Sequence, residues 1–447
     1  MKDIIMAKKI ANKVLEHGGQ TYFVGGYVRD KILGIENKDI DIEVHNIIPK
    51  VLKSILLELG EIKTQGSSFG VYNLKGYNID IAQPRMESSN GRGHKDFEIY
   101  VDPFIGVENA AKRRDFTINA LMENVITGEI IDNFNGLDDL HNGIIRHIND
   151  NTFIEDPLRV LRAAQFAARF EFTIAPETLK LMEKMDLFTL SNERIYGEMK
   201  KALLKAKKPS IFFNILRNTN QLNVWFKELV PLINCPQNPI HHPEGDVWNH
   251  TMNVIDCASN YKKDVTNPEY FMVSALCHDF GKPNALSIDN NEIPHSYNHE
   301  YIGIPVVEAF LSRLNSDNSL RKYVINMVQN HMNLHNTFYG KSKIRKTNEK
   351  FDISICPNDL IYLTISDSAS KGIDNIEETN WIFERYSIYK ELMQQPQVTG
   401  KDLIDLGIKP GPIFTEILND AHKQHLCGVD KVSILKGIKK KLYKNML

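Results

Sequence analysis

Two short stretches, Lys38–Val44 and Asn78–Ala82, alternate polar and aliphatic residues with period two. That period predicts strands with one solvated face. The β-branched and aromatic run Thr21–Val24 reads as another strand, ending in the pair Gly25-Gly26. Tyr27–Leu33 follows as a helix that Gly34 closes. Ser88–Lys95 is predicted as a polar loop and Ile131–Leu140 as a turn-rich closing segment. Near residue 150 the period changes. In Glu155–Arg169, Leu158, Leu161 and Phe166 share one helical face while Asp156, Arg159 and Arg162 share another. Pro157 suits a first helical position and Asp156 a cap. A Pro- and Asn-containing linker, Cys235–Pro239, precedes a further helical section, and 371–447 is polar and helical with a turn in Leu403–Pro412. The pattern predicts an α+β head over 1–150, followed by all-α parts over 151–235, 236–370 and 371–447.

With 447 residues, 42% of them hydrophobic, the chain has material for several cores. A formal net charge of −2 leaves no global basic field, so a nucleic-acid partner must be held by local patches. Lysine clusters at 200–208 and 436–444 are compatible with that. The 5 cysteines are scattered without a C-x-x-C pair, which argues against a disulfide framework and for a reducing compartment. The first residues lack the apolar core of a signal peptide and no run of 18 apolar residues occurs, so no membrane is expected and the cytoplasm is.

Asp39 and Asp41 lie two apart on one strand, hence on one face, where like charges repel unless a divalent cation joins them. Asp80 in the second alternating strand is a third candidate. Arg113-Arg114-Asp115, with Asn119 following, suits a polyanion bearing a sugar: guanidinium forks bind phosphate oxygens, and carboxylates or amides bind hydroxyls. Asp156 with Arg159 can read a base edge. A carboxylate accepts from an exocyclic amine and an arginine donates to the neighbouring ring nitrogen, a pattern that cytosine and adenine present and uracil and guanine do not. Further on, His250, His278-Asp279 and Asp367 offer imidazole and carboxylate ligands to a water-activating metal, with His295, His299 and His331 nearby in sequence.

Together, VGGYVRD with DID, RRDFTINAL, EDPLRVLRAAQFAARF, ERIYGEMKKAL (Glu193–Leu203) and an HD section resemble, in that order, the class II tRNA nucleotidyltransferases, the bacterial CCA-adding enzymes of the poly(A) polymerase branch of the polymerase β superfamily. The HD section brings the resemblance nearest to the multifunctional CCA proteins, which carry a phosphohydrolase. It covers roughly residues 20–370. The resemblance implies a polymerase β-like head, a helical neck, an HD domain and a tail that contacts tRNA. It implies Mg²⁺ on Asp39 and Asp41 with Asp80 assisting, and phosphates met by Gly25, Gly26 and Arg29. Triphosphate and ribose would be engaged by Arg113, Arg114, Asp115 and Asn119. Asp156 and Arg159, with Arg162 alongside, would form a protein template choosing C and then A. A divalent ion (Ni²⁺, Mn²⁺ or Mg²⁺) would sit on His250, His278, Asp279 and Asp367. The implied partners are the tRNA 3′ end, CTP and ATP, for a monomer or homodimer. One departure stands out: Gln165 occupies a helix position where the family usually carries arginine, which would weaken a nucleotide contact.

Other readings share parts of this chemistry. An A-adding-only enzyme or a poly(A) polymerase keeps nearly the same motifs, although the arginine- and phenylalanine-rich segment before RRDFTINAL is replaced here by Phe97–Phe104. An HD phosphohydrolase whose head only binds RNA is a third reading, and a non-catalytic RNA-binding protein a fourth.

Overall fold

The computed structural model describes residues 2–64, 71–89, 97–315, 317–372 and 375–444. The chain forms two compact units. One comprises Met1–Met199 with Ile211–Trp225, the other Lys200–Ser210 with Phe226–Leu447. No helix among the described residues is long and apolar enough to cross a membrane.

The first unit is built in chain order from α1 (Lys2–Glu16), β1 (Gln20–Val24), α2 (Gly26–Ile32), β2 (Ile40–His45), α3 (Pro49–Leu59), β3 (Ile62–Thr64), β4 (Val71–Leu74), β5 (Ile79–Ala82), β6 (Arg85–Ser89), β7 (Phe97–Val101), α4 (Val107–Lys112), α5 (Thr117–Ala120), β8 (Met122–Asn124), β9 (Ile130–Ile131), α6 (Gly136–Asn142), α7 (Asp150–Glu155) and α8 (Leu158–Phe170). Seven strands form one mixed sheet in the order β3-β4-β5-β2-β1-β8-β9, and β6-β7 is a separate hairpin. The central strands β1 and β2 are almost wholly buried, because α1 and α3 cover one face: Ile10, Val14, Leu52 and Ile55 are each at most 1% exposed. Burial on this scale is the main stabilising term.

The expected strands and the helix after the glycine pair are present within a residue or two of their predicted bounds. Two expectations are corrected. Ile131–Leu140 is not turn throughout: α6 begins at Gly136, after Asn135 turns through left-handed backbone (φ 57°). Of the expected loop Ser88–Lys95, Ser88 and Ser89 end β6, and the remainder lies outside the described residues.

The second unit is helical, with one β-hairpin, Leu286–Ile288 against Pro294–Ser296. Its centre is α9 (Val247–Ala258), α10 (Pro268–Cys277), the single turn α11 (His299–Ile302), α12 (Asn318–Tyr339) and α13 (Pro357–Ser370). α9 packs on α10 and α13, and α12 packs on α10, α11 and α13. The polar tail seen in the sequence is helical over Ile376–Met393, Gly400–Asp405, Pro412–Leu426 and Lys431–Lys444. Leu403, Ala421, Ile434 and Ile438 give these last helices a small core of their own.

Candidate active sites in the head and in the helical unit

The turn after β1 needs its first glycine. Gly25 has φ +63°, which side chains rarely adopt, whereas Gly26 has ordinary backbone. A Cβ on Gly26 would stand 3.4 Å from the Arg29 guanidinium. Either glycine leaves the entry to α2 open to a close ligand.

Parallel pairing of β2 and β5 sets Asp41 directly beside Asp80. Asp39 precedes β2 and shares their side. Asp39 and Asp80 are exposed and Asp41 is half-buried. Asp39 Oδ1 accepts from Asn78 Nδ2 at 2.8 Å, and Asn73 donates to Asp80. Burial, then the charges of Asp80 and Asp39, raise the Asp41 carboxyl to about 6, against a weaker pull from Arg114. Three carboxylates are thus gathered at the price of mutual repulsion, the condition that oxygen-ligated divalent ions relieve.

The same strand face continues to Glu43, to which the sequence reading gave no role. Glu43 is buried; burial would raise its carboxyl, but His45 Nε2 at 2.9 Å and Arg114 Nη2 at 3.4 Å outweigh that and hold it at about 2. Arg114 also donates to the Asn119 carbonyl at 3.2 Å. Period two places Asp39, Asp41 and Glu43 in line, and that signal could have found it.

Several expected phosphate and sugar contacts are instead committed inside the protein. Arg29 is 2% exposed. Its fork donates to Asp30 Oδ1 at 2.8 and 2.6 Å and to Asn119 Oδ1, and its plane lies over Phe166 and Phe170 at 5.0 and 4.7 Å. Asp30 also accepts from Arg169 at 2.9 Å. Arg29 therefore braces α2 against α8 and does not face the carboxylates. Asp115 is also buried. Its Oδ1 accepts from the Phe116 N–H and from Asn119 Nδ2, both at 2.9 Å, while Oδ2 takes the Arg162 fork at 2.7 and 2.6 Å. Burial alone would raise the Asp115 carboxyl; the Arg162 guanidinium beside it keeps it low. Asp115, Asn119 and Arg162 thus form one clamp between the RRDFTINAL turn and α8.

Asp156 stands just before α8 and Arg159 on its first turn, both partly open, and the Arg159 N–H donates to the Asp156 carbonyl at 3.0 Å. Asp156 takes Arg194 Nη2 at 2.9 and 3.1 Å and accepts from the Leu158 N–H at 3.1 Å, the capping contact expected of it. Arg159 donates to the carbonyl oxygens of Thr152 and, at 2.8 Å, of Arg113. Arg194 was missed as a partner although its motif, ERIYGEMKKAL, was evident. Gln165 does not face the open side: it is 2% exposed and its Nε2 has no hydrogen-bond partner among the described residues. The expected nucleotide contact at that position is therefore corrected to a buried amide.

In the second unit His250, His278, Asp279 and Asp367 come together at full burial, none more than 5% exposed. Asp246 caps α9 through the Asn249 N–H (2.9 Å) and so fixes the start of the helix that carries His250. His278-Asp279 ends α10. His250 Nε2 lies 3.2 Å from Asp367 Oδ1 and 3.4 Å from Asp279 Oδ2, and His278 Nε2 lies 3.2 Å from Asp279 Oδ2. Lys282 Nζ stands 2.7 Å from Asp279, and Lys371 Nζ 3.3 Å from Asp367. Burial opposes ionisation, but these neighbours keep both carboxyls well below the usual range. Among the described residues, neither Asp279 oxygen receives a well-directed hydrogen bond.

Gly281 is what lets α11 approach. A Cβ there would fall 2.0 Å from the His299 carbonyl and 2.6 Å from the Gly303 nitrogen. The close backbone contact brings His299 Nε2 to 3.1 Å from Asp279 Oδ1, and α12 adds His331 at 3.8 Å. Glu244, also unassigned from sequence, accepts from His250 Nδ1 at 2.7 Å. A cavity of about 390 Å³ opens onto Asp279 and Asp367, with Lys282, His295, Tyr297 and Lys371 in its wall. The buried, under-bonded carboxylates among imidazoles fit a divalent ion.

A mixed sheet that gathers three carboxylates, joined to helices bearing an acid-base pair, together with a helical unit enclosing a histidine-aspartate pocket, defines a nucleotidyltransferase with an HD domain. Comparisons with known proteins agree. Residues 21–146 match the Poly A polymerase head domain, 171–233 the family described as "Probable RNA and SrmB- binding site of polymerase A", and 247–368 the HD domain. The Multifunctional CCA protein of Actinobacillus pleuropneumoniae serotype 5b is 38% identical over 71% of this chain and 76% of its own length. That of Mannheimia succiniciproducens is 34% identical over 89% and 94%. Among solved structures, the Bacillus stearothermophilus CCA-adding enzyme in complex with CTP superposes with a TM-score of 0.69 at 20% identity, covering 100% of this chain and 99% of that one. The Thermotoga maritima CCA-adding enzyme complexed with tRNA gives 0.64 at 20%, covering 97% and 94%. The chain belongs to the multifunctional CCA protein family.

Proposed function

We propose that this protein is a template-independent tRNA nucleotidyltransferase that builds or repairs the 3′-terminal CCA of tRNA from CTP and ATP, with a phosphohydrolase activity in its HD pocket. One observation carries the first part: β2–β5 pairing holds Asp41 beside Asp80, with Asp39 on the same side, and burial together with their repulsion raises Asp41 to about 6. The names of the relatives, and the CTP- and tRNA-bound neighbours, support the same reading.

Asp39 and Asp41 would hold Mg²⁺, with Asp80 assisting. Bound there, magnesium supplies an acidified 3′ hydroxyl and a steadied triphosphate. The open turn at Gly25-Gly26 and the half-buried Arg113 and Arg114 meet the phosphates. Asp156 and Arg159 are the base-reading pair: Arg194 aims the carboxylate, and the Thr152 and Arg113 carbonyls aim the guanidinium. Arg29, Asp115, Asn119 and Arg162 belong to the binding region as positioning residues. In the HD pocket His250, His278, Asp279 and Asp367 would hold a divalent ion of the Ni²⁺, Mn²⁺ or Mg²⁺ kind, which supplies an activated water, while Lys282 and Lys371 attract a phosphate ester into the cavity. A division into head, neck, HD domain and tail near residues 150, 235 and 370, a monomeric or homodimeric state and a cytoplasmic location belong to the same reading.

Incorporation on a tRNA transcript lacking CCA tests it, with Mg²⁺ and CTP, ATP or both. Three added nucleotides ending in CCA are expected. A-only addition onto a CC end would make the chain an A-adding enzyme, unlimited A tails a poly(A) polymerase, and no incorporation would leave the HD pocket as its working site.

A further inference from the structure

Of the three head carboxylates, Asp39 alone lies outside a strand. β2 begins at Ile40, so the Asp39 backbone is not part of the ladder that locks Asp41 against Asp80, and the residue is exposed. Its aim is set instead by two asparagines. Asn78 Nδ2 donates to Asp39 Oδ1 at 2.8 Å, and Asn37 Oδ1 accepts from the Asp39 N–H at 3.0 Å. Asn37 does more than close this turn. Its other amide atom, Nδ2, donates to Asp30 Oδ2 at 2.9 Å. The ionised Asp30 can only accept and a backbone N–H can only donate, so the two neighbours fix which way the amide points. Of the short side chains, only the asparagine amide answers both from two separate atoms.

Asp30 is a firm point of attachment. It is 1% exposed, and both of its oxygens are doubly engaged: Oδ1 by the Arg29 fork at 2.8 and 2.6 Å, Oδ2 by Arg169 at 2.9 Å and by Asn37. Its carbonyl oxygen also takes the Ile35 N–H at 2.8 Å, so the segment between α2 and β2 is fastened to it twice. Arg169 comes from the last turn of α8, and the Arg29 plane rests on Phe166 and Phe170 of the same helix. The helix that carries Arg159 on its first turn is thereby joined to Asp39 through one aspartate and one asparagine. The joint lies beside the open glycine turn: a Cβ on Gly26 would stand 3.9 Å from Asn37 Nδ2.

We propose that Asn37 is a positioning residue of nucleotidyl transfer, holding the Asp39 carboxylate in place against α8 through Asp30. The inference rests on the head reading, in which Asp39 and Asp41 hold Mg²⁺, and adds a residue to it. Mg²⁺ demands near-ideal octahedral geometry, so a ligand free to swing binds it less well. Groups that orient a metal ligand from behind change metal affinity or rate by about 10- to 100-fold when removed. Asn37 acts through Asp39 and needs no contact of its own with nucleotide or ion.

CTP incorporation on a tRNA transcript lacking CCA, titrated with Mg²⁺, tests this in the full chain. Asn37→Ala should raise the Mg²⁺ concentration for half-maximal rate by about tenfold and lower kcat at fixed Mg²⁺. KM for CTP, the preference for CTP over UTP and tRNA retention on filters should stay within about twofold. Mn²⁺, which takes the same oxygen ligands with a less exacting geometry, should recover most of the lost rate. Asn37→Ser keeps a hydroxyl that can accept the Asp39 N–H but is too short for Asp30, so it should retain most of the Mg²⁺ defect. It also reads the same role should the alanine variant fail to fold. A half-maximal Mg²⁺ concentration that Asn37→Ala leaves unchanged, a rate lost equally in Mg²⁺ and Mn²⁺, or a joint loss of tRNA retention overturns the role. Full activity of Asn37→Ser overturns the link to Asp30. An unaltered chain that incorporates nothing in either metal overturns the head reading itself, which separates the two failures.

Discussion

The head and the HD pocket both gather aspartates, yet they handle the charge in opposite ways. In the head, Asp39 and Asp80 stand in solvent and Asp41 is half-buried, with asparagines as near neighbours and one arginine acting at a distance. The repulsion is left standing, and with burial it raises Asp41 to about 6. In the HD pocket, Asp279 and Asp367 are fully enclosed, and lysines and histidines hold their carboxyls far below the usual range. An open site that stays frustrated until a nucleotide and its ions arrive can cycle with each addition. On the proposed reading, the enclosed site would keep the ion it binds, so burial and counter-charge are the settings in which the two acidic clusters of this chain differ.

The largest effect expected from breaking this contrast is in the head. Asp41→Ala should lower nucleotide incorporation by roughly a thousandfold or more, as loss of a metal-holding carboxylate does, while tRNA binding measured by filter retention stays within a few-fold. Lost tRNA binding would make Asp41 structural. The mirror experiment is Asp279→Asn, which should end hydrolysis of phosphate esters and leave CCA addition untouched. Loss of both activities would mean that the two units fail together.

Selectivity comes next in size. Arg159→Ala should cut the preference for CTP over UTP by about ten- to a hundredfold, equivalent to one lost base contact of roughly 1–3 kcal/mol. Arg194→Ala should give a smaller loss of the same kind, since it leaves the Asp156 carboxylate in place but unaimed. Unchanged selectivity in both would remove the template assignment.

A stability measurement sharpens the comparison further. The folded-state pKa of Asp41 lies above its ordinary value of 3.8, at about 6, so the folded protein binds the proton more tightly than the unfolded chain. Stability therefore falls as pH rises from 3.8 to about 6, and ionised Asp41 is a standing cost at neutral pH. Without divalent ions, Asp41→Asn should raise stability at pH 7 by about 1–2 kcal/mol, and the gain should vanish near pH 4. A loss at pH 7 would contradict the repulsion. Smallest of all, Gln165→Met should be neutral or stabilising by up to about 1 kcal/mol, because it removes a buried amide nitrogen that has no partner.

The sequence made the architecture of this protein legible because its periods are clean. Alternation marked β2 and β5, and the change to a helical period marked α8. It also located the acidic set, since two residues along a strand must share a face. It could not show which charged groups are spent on one another. Arg29, Asp115 and Arg162 look like ligand contacts in one dimension, but Arg29 is engaged by its neighbour Asp30 and by the distant Asn119, and Asp115 by the nearby Asn119 and the distant Arg162. Glu43 and Arg194 were overlooked for the complementary reason: each lay inside a recognised stretch, and only the fold shows what they meet. At the HD pocket the aspartates and two histidines were readable from their order, whereas the arrival of His299 depends on two glycines meeting across a turn.

The anchoring of Arg159 has a consequence for how this chain can change over generations. Its guanidinium is oriented by the carbonyl oxygens of Thr152 and Arg113. Those acceptors are part of the main chain, so no replacement of either side chain deletes them. Drift at those two positions is therefore silent with respect to the orientation of Arg159. Insertions or deletions between β7 and α8 are not, because they move the carbonyls themselves. If Arg159 reads the base as proposed, the fidelity of addition is thus protected against substitution at these positions and vulnerable to changes in loop length.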